Sequence, residues 1–227
     1  MKKLLFSLFL TSVAPVTTQA QSLAGKTLLT GNIGYNSNGR TVQTPGTTQS
    51  EALDRQFQFG VGAGYFVAEH LVLGLSGSYH FLRQTNEQPD SFDSSIIHSW
   101  ETRSHNRAVG PFARYYFMLT DKMGLFGQAT VSYSWGDASA VTSSSNTYHI
   151  TSTGRGGMAQ LTPGFVFFPS SRVGIELTAG TLVTGFSNGK SSSDSPGSIT
   201  TKTKSQFTSA AFGLSQLQLG ASLYLGH

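Results

Sequence analysis

Apolar and polar residues alternate along most of the chain. Over 57–67 one face reads Phe57, Phe59, Val61, Ala63, Tyr65 and Val67, and the other carries Gln58, Gly60, Gly62 and Gly64. Over 71–82, Leu71, Leu73, Leu75, Gly77, Tyr79 and Phe81 oppose Gly74, Ser76, Ser78 and His80. Leu125, Gly127, Ala129, Val131, Tyr133 and Trp135 oppose Gln128, Thr130, Ser132 and Ser134 in the same way. A period of two is what a strand requires when its faces meet different media. The pattern predicts eight strands: a first around Leu29, Gly31, Ile33 and Tyr35, then 56–67, 71–82, 108–118, 123–136, 156–168, 173–186 and 206–227.

The polar faces decide which media these are. Ordinary usage places a charge at about one residue in four, yet the seven segments from residue 56 onward hold only Arg114 and Glu176. Their polar positions are filled by Gly, Ser, Thr and Gln, small neutral groups that suit a narrow lumen, so the apolar faces are expected to meet lipid. A backbone in hydrocarbon must pair every N–H and C=O, and such a sheet has to close. Links at 68–70, 119–122 and 169–171 are short, whereas those at 37–54, 85–103, 137–153 and 187–204 are long. Strict alternation of short turns and long loops is the habit of outer-membrane barrels, whose short turns are periplasmic. The expected fold is therefore all-β: an eight-stranded antiparallel up-and-down transmembrane β-barrel with short periplasmic turns, four long extracellular loops and both termini periplasmic. Tyr65, Tyr115, Phe117, Phe165 and Phe167 near the turns, and Tyr35, Phe57, Phe81, Tyr133 and Trp135 near the loops, read as two interfacial girdles. Pro111 and Pro163 fall inside strands, where each removes a ladder donor, and local bulges are expected there. The alternative is a secreted lipocalin-like barrel with its apolar faces inward. Its nearly charge-free outer surface would be poorly soluble.

Composition adds a compartment. Lys2 and Lys3, the apolar run from Leu4 to Leu10 and the small residues ending at Ala20 form a secretory leader over 1–20, leaving a barrel domain over 21–227. No later run reaches the length of a membrane-spanning helix. Charged residues make up 11% of the chain against about 25% in soluble domains, and 26 Gly take up part of the difference. The formal charge is +4, half of it from the two leader lysines, which is too little for a nucleic-acid surface. With no Cys, a disulfide framework and a thiolate metal site are excluded.

The stretches PFARYYF at 111–117, LTPGFVFF at 161–168 and FGVGAGYF at 59–66 resemble strands of the porin-family outer-membrane β-barrel domain, a relative of the OmpA and OmpX barrels of Gram-negative envelopes. The resemblance covers about residues 26–227. It implies location and fold far more strongly than any activity.

The search for chemistry yields little. The six His, at 70, 80, 98, 105, 149 and 227, include no pair at metal-motif spacing, and neither a metal nor a cofactor is expected. A lipid-modifying acyltransferase or deacylase on the same barrel would need a Ser or His pair with an orienting carboxylate. His98-Ser99 and Ser104-His105, near Asp93 and Glu101, are adjacent pairs, and neighbours in a strand point to opposite faces. His149 and Thr151 have better spacing but no nearby carboxylate. A narrow pore is the third class, although eight strands enclose an interior that side chains can fill. Counting by parity puts Arg114 and Glu176 in the lumen at similar heights, where they are expected to pair and block water, with Gln58, Tyr116 and Gln160 as polar neighbours. Lys190, Lys202 and Lys204 give the last loop a basic cast and are candidate interaction residues. The reading is thus a noncatalytic, monomeric outer-membrane barrel. It contacts membrane lipid, engages a surface partner through the loops at 37–54, 85–103, 137–153 and 187–204, and acts in envelope structure or surface interaction.

Overall fold

The computed structural model describes residues 23–42, 50–89, 97–143, 148–194 and 200–226. The leader expected over 1–20 lies outside them. The strands are β1 (Thr27–Val42), β2 (Ser50–Ala68), β3 (Leu71–Pro89), β4 (Ile97–Thr120), β5 (Met123–Ser143), β6 (Tyr148–Ser170), β7 (Val173–Thr178), β8 (Gly180–Ser193), β9 (Thr201–Phe212) and β10 (Gln218–Leu225). All ladders are antiparallel. At the turn end, β1 to β7 pair in chain order, β7 pairs β10, and β10 pairs β1, so eight strands form a ring. The expected count holds because β7 with β8 and β9 with β10 are two strands, each interrupted once.

The interruptions have local causes. Leu161 lies opposite Leu182 on β8, and Gly164 opposite Thr178 on β7, so two residues of β6 face three on the partner. The residue that cannot donate there is Pro163, and the bulge expected at it sits on the strand beside it. Gly180 absorbs the extra residue with φ +143°, and a Cβ there would meet the Ala211 carbonyl at 2.2 Å. The bulge reverses the faces beyond it: Thr178 and Glu176 point inward, but Leu182 and Phe186 point outward. Reading 173–186 as one uninterrupted strand is corrected on this point. Residues 206–227 are likewise not one strand, since a single 3₁₀ turn at Leu214–Gln216 separates β9 from β10. At Pro111 there is no bulge. The β4–β5 ladder skips Gly110 and Pro111, and the register resumes unchanged from Val109–Tyr133 to Phe112–Thr130.

The long links expected as loops are mostly strand. Strands run through most of 37–54, 85–103, 137–153 and 187–204, and only 43–49, 90–96, 144–147 and 195–199 fall outside the described residues. A ladder formed in water needs no apolar face, so once the turns fix the register it continues past the membrane. With a tilt near 40° and about 3.3 Å per residue, the 24 residues of β4 rise roughly 60 Å, more than twice the about 25 Å apolar band of such barrels. The links at the other end are the two-residue turns 69–70, 121–122 and 171–172.

One device repeats four times around the turn end. The backbone N–H of Phe66, Tyr116, Phe168 and Tyr224 donates to the carbonyl of Lys26, His70, Lys122 and Arg172, at 3.0, 2.8, 2.8 and 2.9 Å. Each acceptor immediately precedes an odd-numbered strand, and each donor is a buried aromatic on the strand that completes that hairpin. The four rings meet at the axis: Phe66 and Tyr116 stack at 5.6 Å, and Phe168 and Tyr224 lie 5.2 Å apart. With Leu23, Leu28, Val72, Phe112, Phe126 and Val166 they form the only buried apolar cluster among the described residues, a floor across the turn end of the barrel. Inward glycines make room for it. A Cβ at Gly164 would meet the Phe126 ring at 2.3 Å, and one at Gly74 would meet Phe112 at 2.7 Å.

Candidate functional site: a plugged lumen

Directly above the floor lies a charged layer. Arg114 on β4 and Glu176 on β7 both point inward, and Arg114 Nη1 is 2.6 Å from Glu176 Oε1, with each side chain 5% exposed. Arg114 Nε donates to Gln128 Oε1 at 2.9 Å and Nη1 to the Tyr116 hydroxyl at 3.0 Å. The second carboxylate oxygen accepts from Thr30 Oγ1 at 3.3 Å. Tyr116 and Tyr224 hydroxyls lie 3.1 Å apart, and Ser222 Oγ donates to the latter at 3.1 Å. The guanidinium carbon stands 4.4 Å from the Phe126 ring centroid, which gives the planar cation an aromatic face. Five strands contribute to this layer. Charges taken out of water are tolerable only when paired and hydrogen-bonded in this way.

Of the polar neighbours read from the sequence, Tyr116 touches Arg114, whereas Gln58 and Gln160 do not. They line a cavity of about 180 Å³ above the layer, together with Asn32, His80, Thr130 and Gln218. Gln160 Nε2 donates to Thr162 Oγ1 at 3.0 Å. Gln128, Thr30, Ser222 and Tyr224 complete the layer with no signal of their own in the sequence. All four are even-numbered, on the same face as Arg114 and Glu176, but only ring closure through β10 brings Tyr224 and Ser222 across from β4. Lys190, Lys202 and Lys204 lie far from the lumen layer, on β8 and β9. Lys190 is directly opposite Lys202, and Lys204 is opposite Asn188.

The catalytic candidates are dispersed. His105 Nδ1 is 2.6 Å from the Tyr79 hydroxyl on the outer face, while Ser104 occupies the next position along the strand and so points inward. Thr151 Oγ1 is 3.2 Å from Ser192 Oγ. Asp93 lies outside the described residues, and no side chain at His98 is described. Among the described residues no group of three His, Asp or Glu could hold a metal ion.

A second charged cluster sits outside the barrel on the hairpin extensions. Arg83 Nη2 donates to Glu101 Oε2 at 3.0 Å, its Nε stands 2.9 Å from Oε1 as an ion-pair contact without a hydrogen bond, and Arg103 donates to the same carboxylate. Those bonds, from Arg103 first and then Arg83, hold the Glu101 carboxyl below the usual range for glutamate. Arg107 Nη1 is 3.3 Å from Asp137 Oδ1, and its guanidinium carbon is 5.9 Å from the Tyr79 ring.

Residues 6–192 match the family described as outer membrane protein beta-barrel domain. No curated protein matches the chain. Among solved structures, the chain is similar to the outer membrane protein OprG from Pseudomonas aeruginosa. Identity is 13% and the TM-score is 0.47, covering 92% of this chain and 99% of that one. It is also similar to Ail, the attachment invasion locus protein of Yersinia pestis, with 15% identity, TM-score 0.34, and coverage of 89% and 99%. Neisserial surface protein A aligns at 13% identity and TM-score 0.29 over 87% and 96%.

Proposed function

The chain belongs to the outer membrane protein β-barrel domain family, and on that premise we propose that it is a noncatalytic, monomeric barrel acting in envelope structure or surface interaction through its long hairpins. The observation that carries this reading is the length of the strands beyond the apolar belt. They build a rigid polar wall on the side of the long links, where function on a fixed scaffold tends to sit. In this reading the hairpins are extracellular, the three tight turns and both termini are periplasmic, and lipid surrounds the apolar face. The partner is a surface ligand met by the hairpin ends. A diffusion pore is disfavoured by the floor, where Leu28, Val72, Tyr116 and Val166 are each 0% exposed.

Three measurements on the intact protein test this. A thiol placed at Ser193 should react with an impermeant reagent on whole cells while one at Ser170 should not, and the opposite result inverts the topology. Planar bilayers should show no steady conductance, and lipid A should emerge unaltered from incubation with the protein. A stable open channel or released acyl chains would replace this reading with the pore or the enzyme.

A further inference from the structure

Between the two aromatic girdles the outer face of the barrel carries no charge. Above the upper girdle the first outward charge on each strand is Arg55 on β2, Arg83 on β3, Arg107 on β4, Asp137 on β5, Arg155 on β6, Lys190 on β8 and Lys204 on β9. Six of these seven are cations, and the single acid is already bonded to Arg107. The turn end shows no such bias, since Lys26, Lys122 and Arg172 mix there with Glu69 and Asp121.

Register makes the band denser. Arg55 lies directly opposite Arg83, and Arg83 directly opposite Arg103, three like charges in one row across three strands. Like charges in opposed positions destabilise a sheet, and Glu101 answers only the second and third. Arg155 is opposite Trp135, and Arg107 is flanked by Tyr79 and Trp135. Such rings belong at headgroup depth. Arg55 and Arg155, both exposed, have no ionic or hydrogen-bonding partner among the described residues. Guanidinium groups at the level of the headgroups, unanswered by the protein, match the geometry and charge of phosphate.

We propose that this band binds the phosphate groups of anionic glycolipids in the leaflet on the hairpin side, with Arg55 and Arg155 as its free ligands. Bound phosphate relieves the repulsion along the Arg55–Arg83–Arg103 row and fixes the depth of the barrel in the leaflet. The inference needs membrane placement alone, so it can fail while the surface-interaction reading stands.

The test uses the full chain in phosphatidylcholine nanodiscs doped with bis-phosphorylated lipid A or with dephosphorylated lipid A, with retained lipid counted by native mass spectrometry. The wild type should retain the phosphorylated form selectively. Arg55→Gln with Arg155→Gln should lower that retention about fivefold for each arginine removed, while Arg55→Lys with Arg155→Lys keeps most of it. Millimolar inorganic phosphate should not displace the lipid. Equal retention of the two lipid A forms by the wild type overturns the proposal whether or not any variant folds. Full retention by the glutamine variant, shown to be folded by a gel mobility that shifts only on boiling, overturns it too, and displacement by free phosphate would assign the cationic band to a soluble anion instead.

Discussion

Arg114 is held through Nε, Nη1 and its flat face, by an amide, a phenol, a carboxylate and an aromatic ring within the lumen. Removing one member of such a dry pair strands the other, at a cost of about 3–5 kcal/mol. Arg114→Met and Glu176→Leu should each destabilise on that scale in detergent unfolding. The double variant should cost clearly less than the two together, and simple additivity would show that the pair is not coupled. Glu101 behaves differently because it is partly wet, with 27% of its side chain exposed. Its carboxyl is held low by Arg103 and Arg83. The order this gives the β3–β4 hairpin is therefore complete above the ordinary glutamate pKa of about 4.3. It is lost as pH falls through the lowered folded value. Amide exchange near Arg83 and Arg103 should speed up only in that acidic window, and Glu101→Gln should abolish the pH dependence. A hairpin equally protected on both sides of the window would refute the link.

At the scale of elements, the facing of each strand sets what a substitution costs. Val131 is 62% exposed on the outer face, and Arg in its place should cost about 2–4 kcal/mol near the midplane, whereas Arg at inward Thr130 escapes the lipid penalty. Beyond the Gly180 bulge the parity is reversed, so Leu182→Arg should be the more damaging change and Val183→Arg the milder. Refolding yields in lipid vesicles would rank the four variants, and the opposite order at 182 and 183 would mean that the bulge is absent. The sequence made the faces of β2 to β6 legible because apolar and small neutral residues trade places strictly there. It could not mark the reversal in Thr181-Leu182-Val183-Thr184, where adjacent apolar residues satisfy either facing. Nor could it show ladders running past the rim: Ser, Thr and Asn on both sides leave no contrast between media, and a strand wet on both faces reads as a loop. Arg114 and Glu176 stood out because a charge in a lipid-free, water-poor lane is rare. Tyr224 did not, since its role depends on which strand closes the ring.

For the whole molecule, the ring is closed by very different lengths of ladder. β3 and β4 share nineteen registered pairs, from Leu71–Tyr115 to Pro89–Ile97. The chain's first strand meets its last through seven, from Thr27–Leu225 to Ile33–Leu219. Above Ile33 no ladder joins β1 to β9 among the described residues, so nothing reinforces those seven. Under heat or mechanical load the barrel is a zipper with one weak end. Pulling on the C-terminal strand should peel it off before any other hairpin yields, and the temperature at which the compact gel band converts to the extended one should report that rupture alone. Because the chain has no Cys, a single staple can be placed without interference. Gly31→Cys with Ala221→Cys, opposite each other in the register, should raise the conversion temperature when oxidised. Ala63→Cys with Leu75→Cys, opposite in the long β2–β3 ladder, should leave it unchanged. Equal gains from the two staples would mean that the barrel fails all at once, and the order in which its strands let go would no longer follow from the lengths of the ladders between them.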